Sequence, residues 1–263
     1  MFLTPVIWAV LSMLVWATLA LTPPAYAPVG WAASVLCATL VVATWVVLQL
    51  DRRHPFPVPP RIWRAPAPWM LGAAAVAGLG FTIFASELGN IVLSMQDAPL
   101  AAPPPDAGRG VPWVNALVVG LIHPVCLLLV AQGVVQRVLL LARFGPWIVV
   151  ALTAVIASIG DLFGVWPQRV FMLGLPAWLY LRSLSLGLAL AAYLPGRLIA
   201  AALELGFRPG IPGFDLVAAD AVLFQPIWFD LLGAALVVAG VAPLLAAMVA
   251  ARRDDAEPDE ADA

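Results

Sequence analysis

The sequence predicts an all-α, polytopic membrane helix bundle of about eight transmembrane helices. Three observations point there: a composition too apolar for water, a succession of apolar runs long enough to span a bilayer, and arginines at alternate ends of those runs. Of 263 residues, 63% are apolar and 11% charged, and the mean hydropathy is +0.99. Soluble domains average about 45–50% apolar and about 25% charged, so the solvent that suits this chain is lipid. A single bundle over residues 1–253 is expected, followed by an acidic tail, 254–263, with no apolar periodicity and an expected disordered state.

A spanning helix takes about 20 apolar residues to cross about 30 Å of hydrocarbon. Such runs cover 3–21, 29–50, 69–93, 113–141, 146–163, about 167–181, 183–204 and 225–251. The stretch from Pro167 to Glu204 is too long for one pass and carries Arg182 in its middle, so it divides into two passes with a tight turn there. The sixth run is short and contains Pro176.

Orientation follows from the arginines, which make up all 13 basic residues. Arg52, Arg53, Arg61 and Arg64 share one loop, and Arg143, Arg182 and the pair Arg252 and Arg253 end alternate passes. Placing all of them in the cytoplasm lets every span alternate, puts both termini in the cytoplasm and implies the inner (cytoplasmic) membrane. The opposite loops are Pro-rich, as at Pro103, Pro104 and Pro105, and carry only Arg109, Arg169 and Arg208. Ala25-Tyr26-Ala27 resembles a signal-peptide cleavage site, but residues 1–20 lack the positive charge such a peptide opens with, so a first span is expected instead. Tryptophans such as Trp8, Trp63, Trp113 and Trp228 fall near span ends, as in an interfacial aromatic belt.

Charge gives no nucleic-acid footprint. Six of the 15 acids lie in the last ten residues, and the body carries 13 arginines against 9 acids, a net +4, so the low pI belongs to the tail. Cys37 and Cys126 sit inside apolar runs and read as small buried hydrophobes.

Polar residues at membrane depth are the natural candidates for function. They are Glu87 and Asn90 in the third run, His123, Gln132 and Gln136 in the fourth, Asp161 in the fifth, Arg197 and Glu204 in the seventh and Asp230 in the eighth. Glu87, Asn90, Glu204 and Asp230 lie near span ends, where water can serve them. Gln132 and Gln136, at i and i+4, suit hydrogen bonding between helices. His123, before Pro124, reads as a structural histidine. Asp161 and Arg197 are harder to solvate and are expected to meet; Tyr193, one turn before Arg197, shares its face. No Ser/His/Asp set and no Gly-rich phosphate loop is visible. A zinc site would have to combine His123 with carboxylates, so no metal and no cofactor is expected.

The fourth and fifth runs read Pro124-Val125-Cys126-Leu127-Leu128-Leu129-Val130-Ala131-Gln132-Gly133, then Arg143-Phe144-Gly145-Pro146-Trp147. This resembles the CPBP family of intramembrane proteases, the CAAX-processing and bacteriocin-processing (Abi) type, in which a helix carries P-x-x-E-E-x-x-F-R-G, followed by an apolar run, a basic turn and G-P-W. The resemblance covers roughly residues 110–200. Eight passes with cytoplasmic termini also fit that family.

The chemical positions of the resemblance are substituted. Leu127 and Leu128 stand where the family has its glutamates, and Ala131 and Gln132 where it has Phe and Arg. The F-x-x-x-H motif falls on Ala157 and Asp161, and H-x-x-x-N on Tyr193 and Arg197. As the resemblance implies, a glutamate there activates water for attack on a peptide bond, and the histidines and asparagine hold that water or the oxyanion. Leucine takes no proton, and a general base must stand about 2.6–3.2 Å from its target. No catalytic residue is therefore expected, and Asp161, Tyr193 and Arg197 are expected to form a structural polar cluster filling the old cavity.

The functional expectation is a non-catalytic, pseudoprotease-like membrane protein. Its partners would be the lipid bilayer and a membrane-protein client or an active protease paralogue, as in protein-sorting systems, and no nucleic acid. The alternatives are a peptidase with an altered site built on Asp161, Glu87 or His123, and a transporter or channel, to which Pro176, Asp161 and Arg197 lend slight support although no inverted repeat is evident.

Overall fold

The computed structural model describes residues 66–95, 117–159, 166–215 and 222–254. Most of these residues are helical, with no strand among them. Helix α1 covers Pro68–Ser94, α2 the span Gly120–Leu141, α3 Pro146–Ala157, α4 Trp166–Ser183, α5 Leu186–Glu204 and α6 Ile227–Asp254. Four of them, α1, α2, α5 (over Leu186–Leu203) and α6 (over Ile227–Ala250), are long and apolar enough to cross a membrane. The protein is a helical membrane protein. The expected runs 3–21 and 29–50 lie outside the described residues.

Local chemistry sets the helix limits. Pro68 and Pro146 stand in the first turns of α1 and α3, where a missing N–H costs nothing and the fixed φ is already helical. The turn joining α2 to α3 passes through Arg143 at φ 61°, and α4 gives way to α5 through Leu184 at φ 52°. Left-handed backbone is costly for leucine and arginine, so these turns are held by their surroundings. Ser185 caps α5 by accepting from the Leu188 N–H at 3.4 Å, and the Ser185 N–H donates to Ser183 Oγ at 3.1 Å. The break therefore falls at Leu184 and Ser185, two residues past Arg182, where the division into two passes was expected.

Two limits differ from expectation. Helix α3 ends at Ala157, six residues short of 163, where the last carbonyls bend over and Ser158 Oγ donates to the Val155 carbonyl at 2.8 Å. At 1.5 Å per residue its 12 residues rise about 18 Å, short of a full bilayer core. Helix α6 runs on to Asp254, one residue into the expected tail.

Small residues bring the helices together. In lipid there is little hydrophobic drive between helices, so close backbone approach and dispersion carry the association. Helices α1 and α6 form the most extensive pair. A Cβ on Gly80 would lie 2.5 Å from the Gly233 carbonyl oxygen, and Gly240 abuts the backbone of Ala73 and Ala77. On another face of α1, Gly78 packs onto the carbonyl of Ala192 in α5. Around this contact Ala74, Ala77, Leu175, Leu179, Leu188, Ala192 and Leu244 form one core shared by α1, α4, α5 and α6. Phe81 stacks on Phe171, ring centroids 5.0 Å apart, tying α1 to α4. The outward face of α6 leaves Trp228, Leu231, Val238 and Val249 exposed, a surface suited to lipid.

Helix α2 is irregular. Its α-helical turns His123–Val130 and Arg137–Leu141 alternate with π-helical segments at Val118–Ile122 and Ala131–Gln136. Such π turns are rare and cluster at functional sites. The second turns Gln132 and Gln136 inward, against α3 and α4.

Candidate functional site

The positions that the family resemblance singles out converge. Leu128 of α2, Ala154 of α3, Leu173 of α4 and Tyr193 of α5 form one buried cluster, with Leu127 and Ala157 packed against it. Leu128 is 0% exposed. Four of the substituted positions, Leu127, Leu128, Ala157 and Tyr193, thus meet at the junction of four helices. None of these four substituted positions carries a group that takes a proton from water near neutral pH, and the apolar residues packed with them include the thioether of Met172.

Of the expected polar cluster, Tyr193 is buried and Arg197, one turn on, is 7% exposed. Asp161 lies outside the described residues. Arg197 adjoins α2 as well, because a Cβ on Gly120 would lie 3.5 Å from its carbonyl oxygen. Arg197 and Arg169 both stand close enough to His123 to act on it electrostatically. Glu204 ends α5.

Beside the apolar cluster lies a second layer of buried polar groups. Gln132, Gln136 and Thr153 are each 0% exposed. Gln136 Nε2 donates to the Ala177 carbonyl at 2.7 Å, so this glutamine does join α2 to α4. The Gln136 Oε1, both amide atoms of Gln132 and the Thr153 hydroxyl are buried and have no hydrogen-bond partner among the described residues. Each such atom costs about 1–3 kcal/mol. Arg137, at 0% exposed, is the largest fully buried side chain among the described residues. Sequence reasoning passed over it: it stands near the end of the run 113–141, where arginines ordinarily reach for the interface.

A third set of polar residues gathers where α5 gives way to α6. Asn90 Nδ2 donates to Glu87 Oε2 at 3.0 Å and to the Gly213 carbonyl at 2.7 Å. Ser86 Oγ donates to the same carbonyl at 3.2 Å. Glu87 Oε2 also accepts from the Gln225 N–H at 3.0 Å, and Gln225 Nε2 donates to the Ile83 carbonyl at 3.3 Å. Asp215 in turn accepts from the N–H groups of Gly210 (2.9 Å) and Ile211 (2.6 Å). Glu87 and Asn90 are therefore not simply solvated, as their place near a span end suggested; they clamp the connection between α5 and α6 onto α1. Gly213, at φ 70°, has its would-be Cβ 2.7 Å from the Leu223 carbonyl oxygen, so only glycine fits. The Pro212-Gly213 dipeptide is the sequence signal for this turn; nothing in the sequence pairs it with Ser86 and Asn90.

Among the described residues no group of three or more His, Cys, Asp or Glu side chains converges as a metal site would require. Comparison of the chain with family models, curated proteins and solved structures finds no match.

Proposed function

We propose that this chain is a catalytically degenerate, CPBP-like membrane protein of about eight spans. It binds a membrane-protein client, or an active protease that acts on one, and does not itself cut peptide bonds. It lies in the inner (cytoplasmic) membrane with both termini in the cytoplasm.

The observation that carries this reading is the packing of Leu127, Leu128, Ala157 and Tyr193 into one apolar cluster. If these positions descend from a protease site, their meeting at a helix junction is the expected frame, and their hydrocarbon character is the expected loss of chemistry. Hydrolysis within a membrane needs a place that holds and polarises water, and a leucine at 0% exposure offers none. Residual groups do not replace such a site, because catalytic residues act as a unit and losing one forfeits most of the rate.

The test is cleavage. Purified full-length protein in detergent is offered a set of single-span substrates beside an intact family member. A third sample carries Leu127→Glu, Leu128→Glu, Gln132→Arg, Asp161→His, Tyr193→His and Arg197→Asn together. Cleavage by the intact member and none by this protein is the expected result. Cleavage by the unmodified chain overturns the reading and makes Asp161 the first residue to replace. Photocrosslinking of the same substrates to the uncleaving protein then separates a client binder from a partner of another protease.

A further inference from the structure

An apolar cavity of about 260 Å³ opens between α1, α5, α6 and the loop that follows α5. Every residue lining it is apolar, among them Ile83, Ala202, Phe207, Phe214, Phe229 and Leu236. A hydrocarbon-lined cavity of about 150 Å³ stays dry and takes up benzene-sized apolar molecules; this one is larger, and water is a poor occupant. The cavity adjoins the exposed, lipid-facing side of α6, so the surrounding medium is itself a store of hydrocarbon chains.

One end of the cavity has the residue character of a membrane interface. It lies where α5 ends and α6 begins, next to Trp228, which is 57% exposed and packs its ring edge-on against the lining residue Phe229 at 5.4 Å. Tryptophan favours that level of the bilayer. A cation is fixed at the same rim. Arg208 lies between the lining residues Phe207 and Pro209, is exposed, and uses one guanidinium nitrogen to hold the Asp215 carbonyl at 3.2 Å. A guanidinium carries five N–H donors in a planar fork suited to phosphate, and the bond to the Asp215 carbonyl uses only one of its nitrogens.

We propose that this cavity is a binding site for one phospholipid, an acyl chain inside it and the phosphate on Arg208. The Asp215 carboxylate, bonded to the Gly210 and Ile211 N–H groups, shapes the turn that presents Arg208, and the clamp from Ser86 and Asn90 holds that turn on α1. The site is separate from the apolar cluster around Leu128 and stands whether or not the chain cuts peptides.

Native mass spectrometry of the purified full-length protein tests it, with dioleoyl phosphatidylglycerol titrated into lipid-depleted samples. One equivalent is expected to bind. Arg208→Ala should weaken binding about tenfold or more, the scale of a lost charge-assisted hydrogen bond. Ala202→Phe, which fills the cavity from α5, should abolish it, and Leu236→Trp should do so from α6 if the first variant folds poorly. Inorganic phosphate at millimolar concentration should not compete. Absence of a bound lipid in the unmodified protein, or equal binding by the filled variants, overturns the proposal. Displacement of the lipid by phosphate alone, or occupancy by an apolar peptide segment in its place, also overturns it.

Discussion

Replacing Asn90 by alanine removes two hydrogen bonds from the clamp, one to Glu87 Oε2 at 3.0 Å and one to the Gly213 carbonyl at 2.7 Å. A neutral bond contributes about 1 kcal/mol net and one to a charged group about 1.5–3 kcal/mol. Both acceptors keep another donor, however: Ser86 Oγ on the carbonyl and the Gln225 N–H on the carboxylate. The loss from Asn90→Ala is therefore at the lower end, about 2 kcal/mol, and Ser86→Ala costs about 1 kcal/mol. The double change differs in kind, because the Gly213 carbonyl then loses both side-chain donors. It should cost about 1–2 kcal/mol more than the sum of the two. The assay is unfolding in mixed micelles followed by tryptophan fluorescence, with hydrogen exchange at the amides of residues 206–215 as the local readout. Exchange there should accelerate in each single variant and most in the double. A double variant that costs no more than the sum of its parts would refute the shared-acceptor argument.

Other outcomes follow from the same packing. Gln132→Leu removes two buried amide atoms that have no hydrogen-bond partner among the described residues and should raise stability by about 1–3 kcal/mol, seen as a higher thermal midpoint in detergent; a lower midpoint would show that the amide has a partner. Gly78→Leu drives a Cβ to within 2.7 Å of the Ala192 carbonyl carbon and should part α1 from α5, whereas Gly72→Leu on the same helix meets nothing within 4 Å. The first should lower the midpoint sharply and the second should leave it level or raise it, since leucine is the better helix former by about 1 kcal/mol. Equal effects from the two would contradict the close α1–α5 contact.

Hydropathy was enough to find the described helices because it reports what lipid requires: α1, α4, α5 and α6 each begin and end within three residues of the expected runs. The division near Arg182 was legible for the same reason, since a single apolar run of that length would overshoot the bilayer. What hydropathy omits is partnership. Glu87 and Asn90 looked like residues reaching water, because their acceptor and donor lie 123 and 138 positions away, at Gly213 and Gln225. Likewise the burial of Arg137 was not legible in the sequence; the inward turn of the preceding π segment accompanies it. A π turn has no composition of its own: Ala131 to Gln136 reads as ordinary helix, and its widened turn is a tertiary effect. The motif positions were the reverse case. The family resemblance singled them out; four of them, Leu127, Leu128, Ala157 and Tyr193, lie in one cluster, while the expected meeting of Asp161 with Tyr193 and Arg197 involves a residue outside the described ones.

The most direct test of the account asks whether water reaches that meeting point. Leu128→Cys, placed in a chain whose Cys37 and Cys126 are changed to alanine, is exposed in sealed membrane vesicles and in opened ones to a charged, membrane-impermeant thiosulfonate. Phe144→Cys, at an exposed position in the turn between α2 and α3, serves as the reactive reference. A position packed in a dry apolar cluster should stay unlabelled from either side while the reference reacts promptly, and both should label fully once the protein is unfolded in dodecyl sulfate. Labelling of Leu128→Cys in the folded protein at a rate near that of the reference would mean a water-filled site, and would contradict the reading of these positions as core.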